Sequence, residues 1–246
     1  MRILLTVAYD GTDFFGYQIQ PNLRTVELEL ENALFKLLGK ETKTIASGRT
    51  DSGVHALNQK VQFDTNSTIP PEKYVGALNA LLPSDVKVIS SKKVSDSFNA
   101  RYSAKTKTYK YSLYFSNFEN PLLNRYKTLQ KFPLDYDKMK SACKVIEGEH
   151  DFKCFLSSGS SVKDTIRTIY SIKMVKRGRL LDFYVKGNGF LYNMVRIVVG
   201  SLIAVGENRL TVEEIERAIK TGDRKLAGKT MPAKGLTLYS VSYHNK

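Results

Sequence analysis

The sequence is short of thiols, of long apolar runs and of acid. Its 246 residues contain only two cysteines, Cys143 and Cys154, with His150 between them. That spacing makes neither a CxxC pair nor a usual zinc site, so free, partly buried thiols and no metal are expected. No uninterrupted stretch of about 18 apolar residues occurs, which excludes an ordinary membrane-spanning helix. The apolar run within Met1 to Tyr9 is too short for a secretory signal and lacks a small-residue cleavage site, so a soluble, cytoplasmic chain is expected. Acidic residues number 24 against 38 Lys and Arg, a formal charge of +14. Such an excess favours a polyanionic partner over an acidic protein or a neutral metabolite.

What is present suffices for real cores: 42% of the residues are hydrophobic. A strand is expected at Ile3 to Tyr9, then a helix in which Val26, Leu30, Ala33, Leu34, Leu37 and Leu38 recur at helical spacing, capped by Thr25 and ended by Gly39. Extended stretches at Lys43 to Ser47 and Leu57 to Asp64, a helix after Pro70 and Pro71, and a strand at Val86 to Val94 complete a β-α-β-β-α-β order. The second half reads alike: strand Thr106 to Phe115, helix Tyr136 to Ile146, strands Ile166 to Val175 and Leu180 to Val185, helical sequence from Phe190, and a strand at Leu236 to Tyr243. The expected fold is α+β, two split βαβ (ferredoxin-like) halves, residues 1–103 and 104–246, with mainly antiparallel sheets joined around a central basic cleft.

Three features stand out chemically. The stretch SGRTDSGVHA, residues 47–56, is small and turn-prone yet holds Arg49 and Asp51 two positions apart. Taken alone, such a stretch is more simply an Asx-type turn whose carboxylate caps its own backbone than a site of chemistry. Arg101 to Lys131 carries seven cations (among them Lys105, Lys107, Lys110 and Arg125) against the single anion Glu119, threaded with seven aromatics. Cations beside rings suit a nucleic acid, phosphates on the first and an unpaired base on the second, although Tyr109, Tyr111, Leu113 and Phe115 share one strand face and also read as core. The stretch Phe190 to Gly206 is apolar on nearly every side, yet holds Arg196, which must either meet an anion or reach out along its stem to water.

Taken with YDGTDFFGYQIQ near the start, GRTDSGVHA at 48–56, FNARYSAKTKTYKY at 98–111, GFLYNMVRIVVG at 189–200 and GLTLYSVSY at 235–243, the chain resembles the TruA family of tRNA pseudouridine synthases nearly end to end. It departs mildly: Tyr17 stands where that family often has tryptophan, and Ser52 where alanine is usual. The resemblance implies isomerisation of uridine to pseudouridine at positions 38, 39 and 40 of the tRNA anticodon stem-loop, by a homodimer. It implies Asp51 as nucleophile, Tyr109 as the base-stacking tyrosine, Arg196 in an ion pair with the aspartate, Leu236 lining the site, and Arg49 holding the flipped nucleotide. The reaction neither oxidises nor transfers phosphate, so no cofactor is expected. Attack of the aspartate at C1′, attack at C6 and support of a glycal intermediate all remain compatible with these residue types. Two other classes compete: a non-catalytic RNA-binding module or RNA chaperone on the same scaffold, and a metal-dependent nuclease, for which no clustered Asp, Glu and His set is apparent near Asp51.

Overall fold

The computed structural model describes residues 1–159 and 162–244, and the chain divides into two units, one of residues 1–105 with the chain from Thr237 onward, the other Thr106–Leu236. In the first, alternation sets β1 (Arg2–Tyr9): Ile3, Leu5 and Val7 are fully buried on one face. Helix α1 (Val26–Leu38) follows as the caps require. Thr25 Oγ accepts the Leu28 amide, and Gly39 takes the left-handed conformation (φ 69°) that a side chain would resist. Its buried face is Val26, Leu30, Ala33 and Leu34; each Leu so buried contributes about 1.5–3 kcal/mol.

Three strands and a short helix complete this unit: β2 (Ile45–Ala46), β3 (His55–Asp64), α2 (Tyr74–Asn79) and β4 (Val86–Val94). Their order is β4-β1-β3-β2 with every neighbouring pair antiparallel, the split βαβ arrangement. The final strand of the chain, β10 (Leu236–Ser242), adds to β3 in parallel through Thr237 and Leu238.

The second unit begins with β5 (Thr106–Phe115) and a short β6 (Thr128–Gln130) parallel to it, followed by α3 (Tyr136–Ile146), β7 (Gly148–Asp151), β8 (Ile166–Arg177) and β9 (Leu180–Gly187). The sheet runs β5-β9-β8-β7, antiparallel throughout, again the split βαβ pattern. Helices α4 (Met194–Gly206) and α5 (Val212–Thr221) complete it, and both pack on α3. The α+β class and the mainly antiparallel pairing are as the sequence predicts.

Three elements go beyond the sequence reading. Helix α5 buries only Ile215 and Ala218, yet Val212, Ile215, Ala218 and Ile219 recur at helical spacing, and its start is marked by a capping box between Thr211 and Glu214. Strand β7 is GEHD, with no apolar alternation to reveal it, and β6 has only three residues. Helix α4 begins four residues later than the apolar run, because Asn193 adopts a left-handed conformation (φ 59°) and breaks the path from Phe190. Arg196, expected near the middle of a helix, therefore stands in its first turn.

Candidate active site

Asp51 occupies a turn closed by the Val54 amide on the Asp51 carbonyl (3.1 Å), with Gly53 left-handed at φ 76°. The sequence predicts a flexible stretch; in the structure it is pinned on every side. Before the turn, Thr50 Oγ1 bonds the buried Tyr9 hydroxyl (2.7 Å) and its carbonyl accepts the Tyr17 amide (3.0 Å). After it, Ser52 Oγ and the Gly53 amide both donate to the Phe14 carbonyl (3.2 and 3.3 Å). Further out, Ser47 Oγ donates to Gln59, whose amide returns to the Gly48 carbonyl (both 2.7 Å), and His55 Nδ1 accepts the Gly11 amide (3.0 Å). Burial pushes the Tyr9 phenol up to about 12, so the hydroxyl stays protonated at any ordinary pH.

Close approach of backbones explains the glycines of YDGTDFFGY. A Cβ on Gly11 would fall 2.0 Å from the Val54 carbonyl oxygen, a distance no side chain tolerates. Gly16 adopts φ 93° with the Thr50 carbonyl 2.9 Å from where its Cβ would stand. The 11–17 loop is thus the bed on which the Asp51 turn lies. Asp51 itself is half-buried and Arg49 exposed. Arg49 lies near enough to Glu27 to oppose the rise that burial imposes on that carboxyl.

The second unit holds its residues differently. Every residue of α4 is buried except Arg196, which is half-buried. Its Nε donates to the Met231 carbonyl (2.5 Å), its Nη1 to Asn193 Oδ1 (2.5 Å), and the Met231 amide returns to the Arg196 carbonyl (3.3 Å). A cation in the first turn of a helix opposes the helix dipole, at a cost of about 0.3–1 kcal/mol that its two hydrogen bonds offset. Together the guanidinium and the helix terminus favour an anion there. Both of these acceptors are neutral carbonyl oxygens, so they do not cancel its charge.

Tyr109 is buried in β5 with its ring edge-on to Phe190 (centroids 5.3 Å apart, 89°), a residue of the same segment that leads to Arg196. Tyr111 is core: its hydroxyl is bonded to Thr128 Oγ1 (2.7 Å) and donates to the Pro232 carbonyl (2.8 Å), and burial raises its pKa strongly. Gly235 packs so closely on the Tyr111 ring that a Cβ would meet it at 2.6 Å. Arg196 and Tyr111 thereby fix the 231–235 path that leads to the buried Leu236. Of the basic residues, Lys105 and Arg125 are exposed, Lys107 and Lys110 half-buried.

Among the described residues no group of three or more His, Cys, Asp and Glu is placed to hold a metal ion, and no helix is long and apolar enough to cross a membrane. Burial pushes both thiols, Cys143 and Cys154, up to about 12.

The family model described as tRNA pseudouridine synthase matches residues 5–103 and 142–244 of this chain. It belongs to that family. Its members include the tRNA pseudouridine synthase A of Geobacillus sp., 45% identical over 245 residues and covering 99% of both chains. Those of Anoxybacillus flavithermus (46% over 245 residues, 99% of both) and Caldicellulosiruptor bescii (45% over 242 residues, 98% of this chain and 99% of the other) agree with it end to end. In this pseudouridine synthase, then, sequence reasoning had singled out Arg49 and Asp51 but not the bed beneath them. Tyr9, Gly11, Phe14, Gly16, Thr50 and His55 form that bed, and its one visible signal was the pair of glycines flanking the FF of YDGTDFFGY.

Proposed function

We propose that this tRNA pseudouridine synthase isomerises uridine at positions 38, 39 and 40 of the anticodon stem-loop, with Asp51 as the nucleophile and without a cofactor. The observation that carries the reading is the Asp51 turn: a half-buried carboxylate on a loop locked by buried hydrogen bonds is preorganised for chemistry. The C1′–N1 bond breaks, the uracil re-forms a bond from C5 to C1′, the C5 proton leaves and N1 gains one. An ionised aspartate serves as nucleophile or charge stabiliser in that sequence. Reaching the base requires its extrusion from the stack, at a cost of a few kcal/mol that aromatic and basic contacts offset.

Tyr109 takes the role of the ring beside the extruded base, Arg196 that of the charge partner of Asp51, Leu236 that of an apolar wall, and Arg49 that of a contact to the flipped nucleotide. Lys105, Lys107, Lys110 and Arg125 are assigned to the phosphates. The working form is a homodimer in the cytoplasm, the oligomeric state being open to sedimentation measurement.

The test is tritium release from tRNA carrying C5-labelled uridine, with chelator present. Asp51→Asn is expected to bind tRNA as the parent does while turning over at least about a thousandfold more slowly, since an amide is neither anion nor nucleophile. Binding without release by the parent chain would instead identify a silent RNA-binding module. A double-mutant cycle of Asp51→Asn with Arg196→Met reads the pairing: coupled stability losses support it, and strictly additive ones reject it.

A further inference from the structure

Arg24 lies outside every element that carries a candidate catalytic group, yet all three nitrogens of its guanidinium are engaged. Its Nη1 and Nη2 take both oxygens of Asp85 (2.7 and 3.0 Å), and its Nε donates to Glu29 (2.8 Å). The same guanidinium lies over the Phe14 ring, 4.2 Å from the centroid. Three contacts of this kind fix a planar cation in position and orientation, as an isolated surface ion pair does not.

Phe14 is the point that matters. Its ring is buried beneath Arg24, and its carbonyl is the acceptor shared by Ser52 Oγ and the Gly53 amide, the two residues that follow Asp51. Asp85, on the other side of Arg24, uses its own carbonyl to hold the Asp10 amide (3.0 Å), next to Gly11, which is pressed against Val54. The contacts therefore close on themselves: Asp85 to Arg24, Arg24 to Phe14, Phe14 to the Asp51–Val54 turn, Val54 to Gly11, and Asp10 back to Asp85. The Phe15 amide on the Arg24 carbonyl (2.9 Å) ties the loop across the middle.

We infer that Arg24 is a positioning residue for the Asp51 turn, setting the carboxylate in its reactive place through Phe14 and the Asp85 ion pair. The inference rests on the assignment of Asp51 as the nucleophile. A displacement of about 1 Å at a reacting group costs on the order of a hundredfold in rate, and the closed set of contacts is what resists it.

Arg24→Met, which keeps length and apolar contact with Phe14 but drops the ion pair, is the first variant; Asp85→Asn, which leaves the cation over the ring, is the second. Single-turnover tritium release at saturating tRNA is compared with the tRNA dissociation constant from filter binding, both measured well below the melting temperature. Each variant is expected to slow turnover about 10- to 100-fold while the dissociation constant stays within about twofold. Arg24→Lys is expected to restore little, because an ammonium matches neither the two Asp85 oxygens nor the flat face of the ring. The double variant should lose no more than about twofold beyond the worse single one, since both act through one contact.

Full turnover in the folded variants would overturn the inference, as would a loss confined to binding, which would make Arg24 an RNA contact. Should Arg24→Met fail to fold, Asp85→Asn carries the same comparison. Asp51→Asn, run alongside, separates the two levels. If it is inactive while Arg24→Met and Asp85→Asn turn over normally, only the positioning role falls; if Asp51→Asn is itself active, the nucleophile assignment falls and this inference with it.

Discussion

The two units present their candidate groups by opposite means. Asp51 stands on a loop with no regular structure, held by polar bonds from Tyr9, Phe14 and Tyr17, residues more than thirty positions away in sequence. Arg196 and Tyr109 stand on a helix and a strand that are themselves placed by apolar burial. Position is thus obtained once by satisfying buried hydrogen bonds and once by filling volume. A loop so held fails when one backbone is pushed away, whereas a packed helix tolerates the loss of a polar group and fails only when its contact surface is lifted.

The contrast is open to direct attack, most severely at the glycines. Gly11→Ala would drive a methyl group into the Val54 carbonyl, and the Asp51 turn must move. Turnover is expected to fall at least about a hundredfold, with stability reduced by about 2–4 kcal/mol on denaturant titration. A variant with parental turnover would show that the bed does not place the aspartate.

Arg196→Met comes next. Because the side chain is half-buried and bonded to neutral oxygens, the expected stability loss is about 1–3 kcal/mol, and release of tritium should fall by more than that loss explains. A fall in stability with unchanged turnover would reduce the residue to a clasp for Met231. Tyr109→Phe sharpens the same side: the ring remains against Phe190, so fold and tRNA binding should persist, and any slowing of turnover isolates the hydroxyl.

The smallest effect distinguishes two neighbouring phenols of the loop bed. Tyr9→Phe removes a buried bond to Thr50 and should cost about 1–2 kcal/mol. The Tyr17 hydroxyl is buried and meets no full hydrogen-bond geometry among the described residues, Thr44 being only a weak contact, and burial raises its pKa well above the ordinary value, so Tyr17→Phe should be close to neutral, within about 1 kcal/mol. Equal losses in thermal melts would contradict the polar account of the loop. Both phenols are neutral in the folded chain and ionise more readily when unfolded. The fold is therefore indifferent to their titration below pH 10 and loses stability as pH rises from the unfolded value of about 10 toward the raised folded ones.

The same contrast governs what could be read in advance. Helix α1 was legible from end to end, because Thr25, Gly39 and the apolar spacing between them are local signals, and β4, β5 and α3 were legible for like reasons. Asp51 was visible as a charge among small residues, but its bed was not, since the link of Gly11 to Val54 or Phe14 to Gly53 exists only after β1 and β3 have paired. The start of α4 was misplaced because a left-handed asparagine gives no periodic signal.

Where α4 meets the chain at Gly228 and Lys229, main chain lies directly on main chain. A Cβ on Gly200 would stand 1.9 Å from the Lys229 carbonyl oxygen, one on Gly228 would meet Gly200 at 2.5 Å, and the Gly228 amide donates to Ser201 Oγ (2.7 Å). With no side chain between them there is no rotamer to absorb a displacement, so the joint is stiff. The strip from Gly228 to Met231, irregular by its hydrogen-bond pattern, inherits the compliance of the helix rather than that of a loop. In hydrogen exchange its Gly228 and Met231 amides should open together with α4, at the same free energy, and an exchange rate typical of a surface loop would show the joint to be loose.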